Sequence, residues 1–300
     1  MRRLLKAPTE VISDKDLGYL PYPVIGSPKL DGFRCAIDKT PKTSSMKPQP
    51  NPFVFSQLSD PTLNGLDGEL VIGKPNDPAT FNNSTGPLRR QYGEPDFTFY
   101  VFDSFLHPQE SYAQRWLMRI EKEMHEATQT FNHPRVKILP QIVLKNSQEV
   151  IDYTNLCIAD DYEGAMIRTL TGIYKQGRST FNEMNIFKRK VLSDAEATII
   201  GFNEKMINNN PQKLDEMGLA KRSSHKANKV PAGTLGSFIL SGKPWKKPFN
   251  CRGKIDDDLA QEIWNNQDKY LGKQVTYKYH AYGSIDAPRQ PIFHRFYEEI

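Results

Sequence analysis

Lys29-Leu30-Asp31-Gly32-Phe33-Arg34 packs a lysine, a carboxylate, a glycine and an arginine into six residues. Before it, Tyr22-Pro23-Val24-Ile25-Gly26-Ser27-Pro28 is small and apolar; after it, Cys35-Ala36-Ile37 is apolar again. That pattern predicts two short extended segments joined by a turn, with Lys29 in the turn and Pro28 fixing the entry direction. A lysine placed so can face a pocket. To act as a nucleophile it must be neutral, and from an ordinary pKa near ~10.4 deprotonation at pH 7 costs about 4 to 5 kcal/mol. Neighbouring cations and desolvation lower that cost. If a strand follows Gly32, its period of two carries Arg34 to the same side, and Asp31 can hold a divalent ion against a phosphate. An isolated Lys-Asp-Gly is usually a hairpin with exposed charges, so the rest of the chain must decide.

At 300 residues and 38% hydrophobic, the chain can build two domains, each with its own core. A net charge of +5 suits an acidic polymer without requiring one, so the placement of the basic residues matters more than their sum. The three cysteines, Cys35, Cys157 and Cys251, are far apart, which argues for a reducing compartment and against a zinc module. The six histidines form no ligand-like cluster. Met1-Arg2-Arg3-Leu4-Leu5 starts like a signal peptide, but Lys6, Pro8, Glu10 and Asp14 leave no apolar core for one. No run reaches membrane-spanning length, so an intracellular, cytoplasmic protein with no membrane partner is expected. Residues 1–21 are too short for a recognition domain of their own.

In order, Thr40 to Pro52 is rich in proline and serine and reads as a loop. Leu66-Asp67-Gly68-Glu69-Leu70-Val71-Ile72 reads as a turn feeding a strand with Glu69 at its head, and Gly86 to Pro95 as a second polar loop. Phe97 to Asp103 reads as a buried strand. Tyr112, Trp116, Leu117, Ile120 and Met124 repeat at helical spacing. A further helix is predicted from Ser147 to Ile158, capped by Ser147. Glu163 to Arg168 and Asn185 to Val191 return to strand character, the latter carrying alternate lysines. Strands mixed with helices in this order indicate an α+β fold with largely antiparallel sheets.

A second pattern starts near Ala195. Strands at Ala197–Phe202, Gly233–Leu240 and Gln274–His280, with a helix at Asp256–Gln267, fit a five-stranded barrel of the OB type. Between the first two lies Asn208 to Pro231, basic through Lys213, Lys221, Arg222, Lys226 and Lys229; Lys243, Lys246, Lys247, Arg252 and Lys254 follow, with Trp245 and Phe249 among them. Basic residues interleaved with aromatics could grip a nucleic acid backbone, whereas a solvated loop would show the same composition over 208–231.

Taken together, Lys29-x-Asp31-Gly32-x-Arg34, Asp67-Gly68-Glu69, Phe102-Asp103, Glu163-Gly164-x-x-x-Arg168, Tyr174-Lys175-x-Gly177-Arg178-Ser179 and Lys188-x-Lys190 resemble the ordered motif set of the covalent nucleotidyltransferases. Gly233-x-Leu235-Gly236-Ser237 and Arg289-x-Pro291-x-Phe293 continue the likeness, which is to the small, virus-type ATP-dependent DNA ligases and covers nearly the whole chain. The resemblance implies a nucleotidyltransferase (adenylation) domain over 1–191 and an OB-fold domain over 192–300. It implies that Lys29 is the nucleophile that takes AMP from ATP. Arg34, Glu69, Phe102, Glu163, Lys188, Lys190 and Arg289 would then bind the nucleotide: Glu69 at the ribose, Phe102 stacked on adenine, both lysines at the α-phosphate, and Arg289 or Arg295 at the outer phosphates. Arg178, with Lys175, would hold the 5′-phosphate of nicked duplex DNA, and Asp31 and Glu163 would support Mg²⁺ or Mn²⁺. The chain departs from the pattern at Ser44, where the family has an arginine in a Ser-Arg-x-x-Lys-Pro element. RNA joining, RNA capping and a catalytically dead binding protein share parts of this set. Retention of all five of Lys29, Glu69, Glu163, Lys188 and Lys190 disfavours the last. A monomer is the default.

Overall fold

The computed structural model describes residues 2–116, 133–190, 192–214, 220–253 and 255–297. The chain divides into two compact units, Met1–Lys190 and Val191–Ile300.

The strands of the first unit are β1 (Val24–Pro28), β2 (Phe33–Asp38), β3 (Thr40–Thr43), β4 (Leu66–Ile72), β5 (Phe97–Ser104), β6 (Val136–Ile138), β7 (Ile142–Leu144), β8 (Ala165–Thr169) and β9 (Ile186–Arg189). They form a four-stranded sheet in the order β7-β1-β8-β9 and a five-stranded sheet in the order β3-β2-β4-β5-β6. All pairings are antiparallel except β5 with β6. The segment Lys29–Gly32 is therefore the passage of the chain from one sheet to the other. Gly32 is needed there for space, because a Cβ would collide with the Leu70 carbonyl oxygen and the Glu69 side chain. The larger core is built on the β2, β4 and β5 faces from Cys35, Ile37, Leu70, Phe99 and Val101; Val24, Val150, Ile167 and Phe187 centre the other.

Four local expectations are corrected. Thr40–Thr43 is a strand, because an edge position tolerates Pro41, which has no N–H to donate. Thr80–Arg89 is a helix that continues through Gly86 and Pro87; burial of Leu88, and of Ser84, whose hydroxyl accepts from the Ile72 N–H at 3.0 Å, outweighs poor propensity. The helix Ser147–Ala159 is capped by Asn146, whose side chain accepts from the Glu149 N–H, rather than by Ser147. Glu69 stands in the middle of β4, not at its head. Of the stripe predicted from Ser111, Tyr112 and Trp116 are buried, and Leu117, Ile120 and Met124 lie outside the described residues.

The second unit contains β10 (Ser193–Asn208), β11 (Gln212–Leu214), β12 (Ala220–Arg222), β13 (Lys229–Ser241), β14 (Phe249–Gly253), β15 (Gln274–His280) and β16 (Arg289–Phe296). Five of these close a barrel in the order β10-β13-β14-β16-β15. Its core is Ile199, Phe238, Leu240, Cys251, Val275 and Tyr277, sealed by Ile263 of the helix Asp257–Asn265. β10 and β13 stay paired out to Asn208↔Lys229, and β11 pairs with β12, so part of the basic 208–231 segment is ordered strand. Trp245 and Phe249 pack against the core, and the Trp245 indole donates to the Tyr277 hydroxyl at 2.6 Å. They are barrel packing and not a stacking platform.

Candidate active site

Register brings the predicted residues of the first unit to one place. Pro28 pairs with Ala165 across β1 and β8, so Lys29 emerges beside Gly164, and its main-chain N–H donates to the Gly164 carbonyl at 2.9 Å. Ala165 pairs with Arg189 across β8 and β9, which leaves Lys190, one residue past the strand end, on the same edge. There the Glu163 carboxylate takes the Lys29 ammonium on Oε2 and the Lys190 ammonium on Oε1. Burial opposes ionisation of Glu163, but the two lysines hold its carboxyl down at about 2. Lys190 is lowered from the usual lysine range by burial and by Lys29, and Lys188 by burial together with Lys190, Lys29 and Arg178.

The five-stranded sheet supplies the opposite wall. Arg34 is paired with Glu69 across β2 and β4. Asp67 pairs with Asp103 while Gly68 pairs with Val101, so Phe102 is the extra residue of a β-bulge in β5. A bulge re-aims a side chain, and Phe102 lines the cavity together with Leu30 and Leu139. Burial pushes the Glu69 carboxyl up to about 8 against the pull of Arg34 and Lys29. Arg34 is held by Asp67 in a two-point fork (Nε to Oδ1 3.0 Å, Nη2 to Oδ2 2.5 Å), and Asp67 also accepts from the Tyr174 hydroxyl at 2.5 Å.

Between the walls is a cavity of about 230 Å³ lined by Lys29, Arg34, Glu69, Phe102, Arg178 and Lys188 among others. Six of the predicted residues thus share one space, with Glu163 and Lys190 tied to Lys29 at its edge. Lys175 is not among the lining residues: it pairs with Glu183 at 2.5 Å, partly exposed. Arg289 belongs to the second unit, where it opens β16 opposite His280, and Arg295 lies further along the same strand. Ser44 is exposed on the turn after β3.

Three polar residues that line this space carried no predicted role. Lys6 reaches it from the N-terminal segment, which had no periodic signal. Ser27 precedes the motif it serves. Arg168, quoted in a motif but given no task, is 3% exposed, lies 5.1 Å from the Phe102 ring centre and is 3.9 Å from Asp103. In the second unit, Lys205, Lys226, Lys229 and Arg252 surround a concavity of about 600 Å³ on the barrel.

Asp31 and Glu163 both act electrostatically on Lys190. Among the described residues no group of three or more His, Cys, Asp or Glu could hold a metal. Such a pair fits a hard cation that shares its shell with phosphate oxygens rather than one held by protein alone. Among the described residues no helix is long and apolar enough to cross a membrane.

The family described as ATP dependent DNA ligase domain matches residues 21–190, the stretch that builds both walls. A DNA ligase of African swine fever virus is 27% identical over 143 residues, covering 46% of this chain and 32% of the relative. A DNA ligase of Thermococcus fumicolans is 25% identical over 203 residues, covering 65% and 33%. The chain spans about a third of the length of these curated relatives. The crystal structure of Chlorella virus DNA ligase-adenylate is similar over 98% of this chain and 99% of that one, at 26% identity and a TM-score of 0.54. With more than half of its length matched, and with the lysine, glutamates and arginines of that match gathered round one cavity, the chain belongs to the ATP-dependent DNA ligase domain family.

Proposed function

We propose that this protein seals nicks in duplex DNA with ATP, through a lysyl-AMP intermediate. The observation that carries the reading is the shared cavity of Lys29, Glu69, Phe102, Arg34, Lys188 and Arg178. In the first step the neutral Lys29 Nζ attacks the α-phosphorus of ATP; a P–N bond forms, the bond to pyrophosphate breaks, and the ammonium proton leaves to solvent. In the second, an oxygen of the 5′-phosphate at the nick attacks that phosphorus, and the P–N electrons return to Lys29. In the third, the 3′-hydroxyl attacks the activated 5′-phosphate, loses its proton and expels AMP. Each step is phosphoryl transfer, where positioning and charge neutralisation supply most of the catalysis.

Glu69 accepts the ribose hydroxyls and Phe102 stacks on adenine. Lys188 and Lys190 hold the α-phosphate, and Arg178 the 5′-phosphate. Arg289, or Arg295, engages the outer phosphates. Asp31 and Glu163 would hold Mg²⁺ or Mn²⁺, which supplies further neutralisation of phosphate charge. The domains are 1–191 for adenylation and 192–300 for the barrel, whose basic concavity takes the DNA backbone. The protein acts as an intracellular monomer.

The test is incubation with ATP and Mg²⁺, mass spectrometry for one AMP on Lys29, and a chase with nicked duplex DNA or nicked RNA. Adduct formation and discharge by DNA are expected. No adduct would sink the enzyme reading, and discharge by RNA alone would sink the DNA reading.

A further inference from the structure

The N-terminal segment, which the sequence leaves without a role, is built into the wall of the cavity. Leu4, Leu5 and Ala7 are buried with Phe105, Tyr174 and Ile186. Between them the backbone runs parallel to the Gly177–Ser179 loop. Lys6 N–H donates to the Gly177 carbonyl at 2.8 Å, Ser179 N–H donates to the Lys6 carbonyl at 2.8 Å, and Arg178 Nη1 donates to the Ala7 carbonyl at 2.7 Å. A three-bond seam of this kind fixes Lys6 and Arg178 relative to each other.

The Lys6 side chain lies half-buried on the cavity wall. Burial and the neighbouring Arg34, Arg178 and Arg3 guanidiniums push its pKa below the usual lysine range. A half-buried ammonium near three guanidiniums is electrostatically unfavourable, and an anion relieves it. The cations of the cavity fall into two neighbourhoods. Lys188 feels Lys29 and Lys190, which share Glu163; Lys6 feels Arg34 and Arg3; both feel Arg178. The seam with Gly177–Ser179 and the Arg178–Ala7 hydrogen bond place Lys6 beside Arg178.

We propose that Lys6 is a phosphate-binding residue for the 5′-phosphate at the nick, presented by the N-terminal strap beside Arg178. It supplies to the cavity a cation that position 44, an exposed serine, does not. The assignment rests on the nick-sealing reading above.

Two measurements on Lys6→Met and Lys6→Arg test it. The first is the rate of Lys29 adenylation by ATP and Mg²⁺ without DNA, set against discharge of the isolated adenylated protein onto a nick. The second is binding of nicked duplexes bearing either a 5′-phosphate or a 5′-hydroxyl at the nick. Lys6→Met should slow discharge at least tenfold more than adenylation, and should bind the two duplexes within about twofold of each other where the unmodified protein prefers the phosphate. Lys6→Arg should restore most of both. Equal losses in the two steps, or a preference for the 5′-phosphate undiminished in Lys6→Met, would overturn the assignment. Failure of the unmodified protein to form any adduct would instead refute the nick-sealing reading itself.

Discussion

Lys29 is tied to the Glu163–Gly164 step twice: its main-chain N–H donates to the Gly164 carbonyl, and its ammonium pairs with the Glu163 carboxylate. The Glu163 carboxylate thus holds Lys29 and Lys190 together. On the nick-sealing reading proposed above, an incoming phosphate takes the place of that carboxylate.

Glu163→Gln should cost about 1.5 to 3 kcal/mol at pH 7, the range for hydrogen bonds to charged groups. The sign with pH follows from the depressed carboxyl. Its folded value near 2 lies below the unfolded value, so its stabilisation is present above about 4.5 and is lost as pH falls toward 2. Urea unfolding at pH 7, 5, 4 and 3 should show the gap between the two proteins closing below 4.5. A gap independent of pH would mean the pair contributes nothing electrostatic.

Glu69 gives the opposite signature in the same cavity. Its folded carboxyl sits near 8, above the unfolded value, so the fold is favoured with Glu69 protonated and loses that advantage as pH rises from about 4.5 to 8. Glu69→Gln removes the titration. Its melting temperature relative to the parent should therefore be higher at pH 8.5 than at pH 5, by the equivalent of about 1 kcal/mol or more. A relative value that falls over that window would show that Arg34 and Lys29 keep Glu69 ionised.

The Tyr174 hydroxyl and Arg34 share Asp67, a carboxylate with no exposure. Tyr174→Phe keeps the ring against Phe105 and removes only that donor. A loss of about 1 to 2 kcal/mol in stability is expected. Because Arg34 is then less firmly held, KM for ATP in Lys29 adenylation should rise several-fold with a smaller change in kcat. An effect on kcat alone would place Tyr174 outside the control of Arg34.

What could be read in the chain and what could not divide along a physical line. Lys29, Asp31, Gly32 and Arg34 lie within six residues, a turn and the start of β2, where local chemistry and period-two alternation already determine which groups meet. The alternation in Phe97–Asp103 likewise gives the strand, and the barrel follows from apolar runs that need one closed core. The bulge that turns Phe102 toward the cavity is invisible locally, because it depends on a register shift between β4 and β5. Lys6 and Arg168 were missed for the same reason: each reaches the site through a pairing with a distant segment, at Gly177–Ser179 and at β1. The helix through Gly86 and Pro87 shows burial of Leu88 overriding propensity, which composition alone reports the other way.

Gly164 is where backbone geometry and chemistry coincide. Its φ of +142° is rarely adopted by other residues, and a Cβ there would run into the Arg189 carbonyl oxygen. Gly164→Ala should lose 2 kcal/mol or more, from about 1 to 3 kcal/mol of strain plus the displaced β8–β9 edge. Because the Gly164 carbonyl anchors the Lys29 main chain and Glu163 adjoins it, the same change should slow Lys29 adenylation at least a hundredfold. Gly73 is the control: its φ is also positive, at +83°, but nothing lies within 4 Å of an added Cβ. Gly73→Ala should cost about 1 kcal/mol of strain and leave adenylation within twofold. If the two alanine variants slow adenylation alike, the loss comes from general destabilisation, and the tie between Gly164 and Lys29 has no part in catalysis.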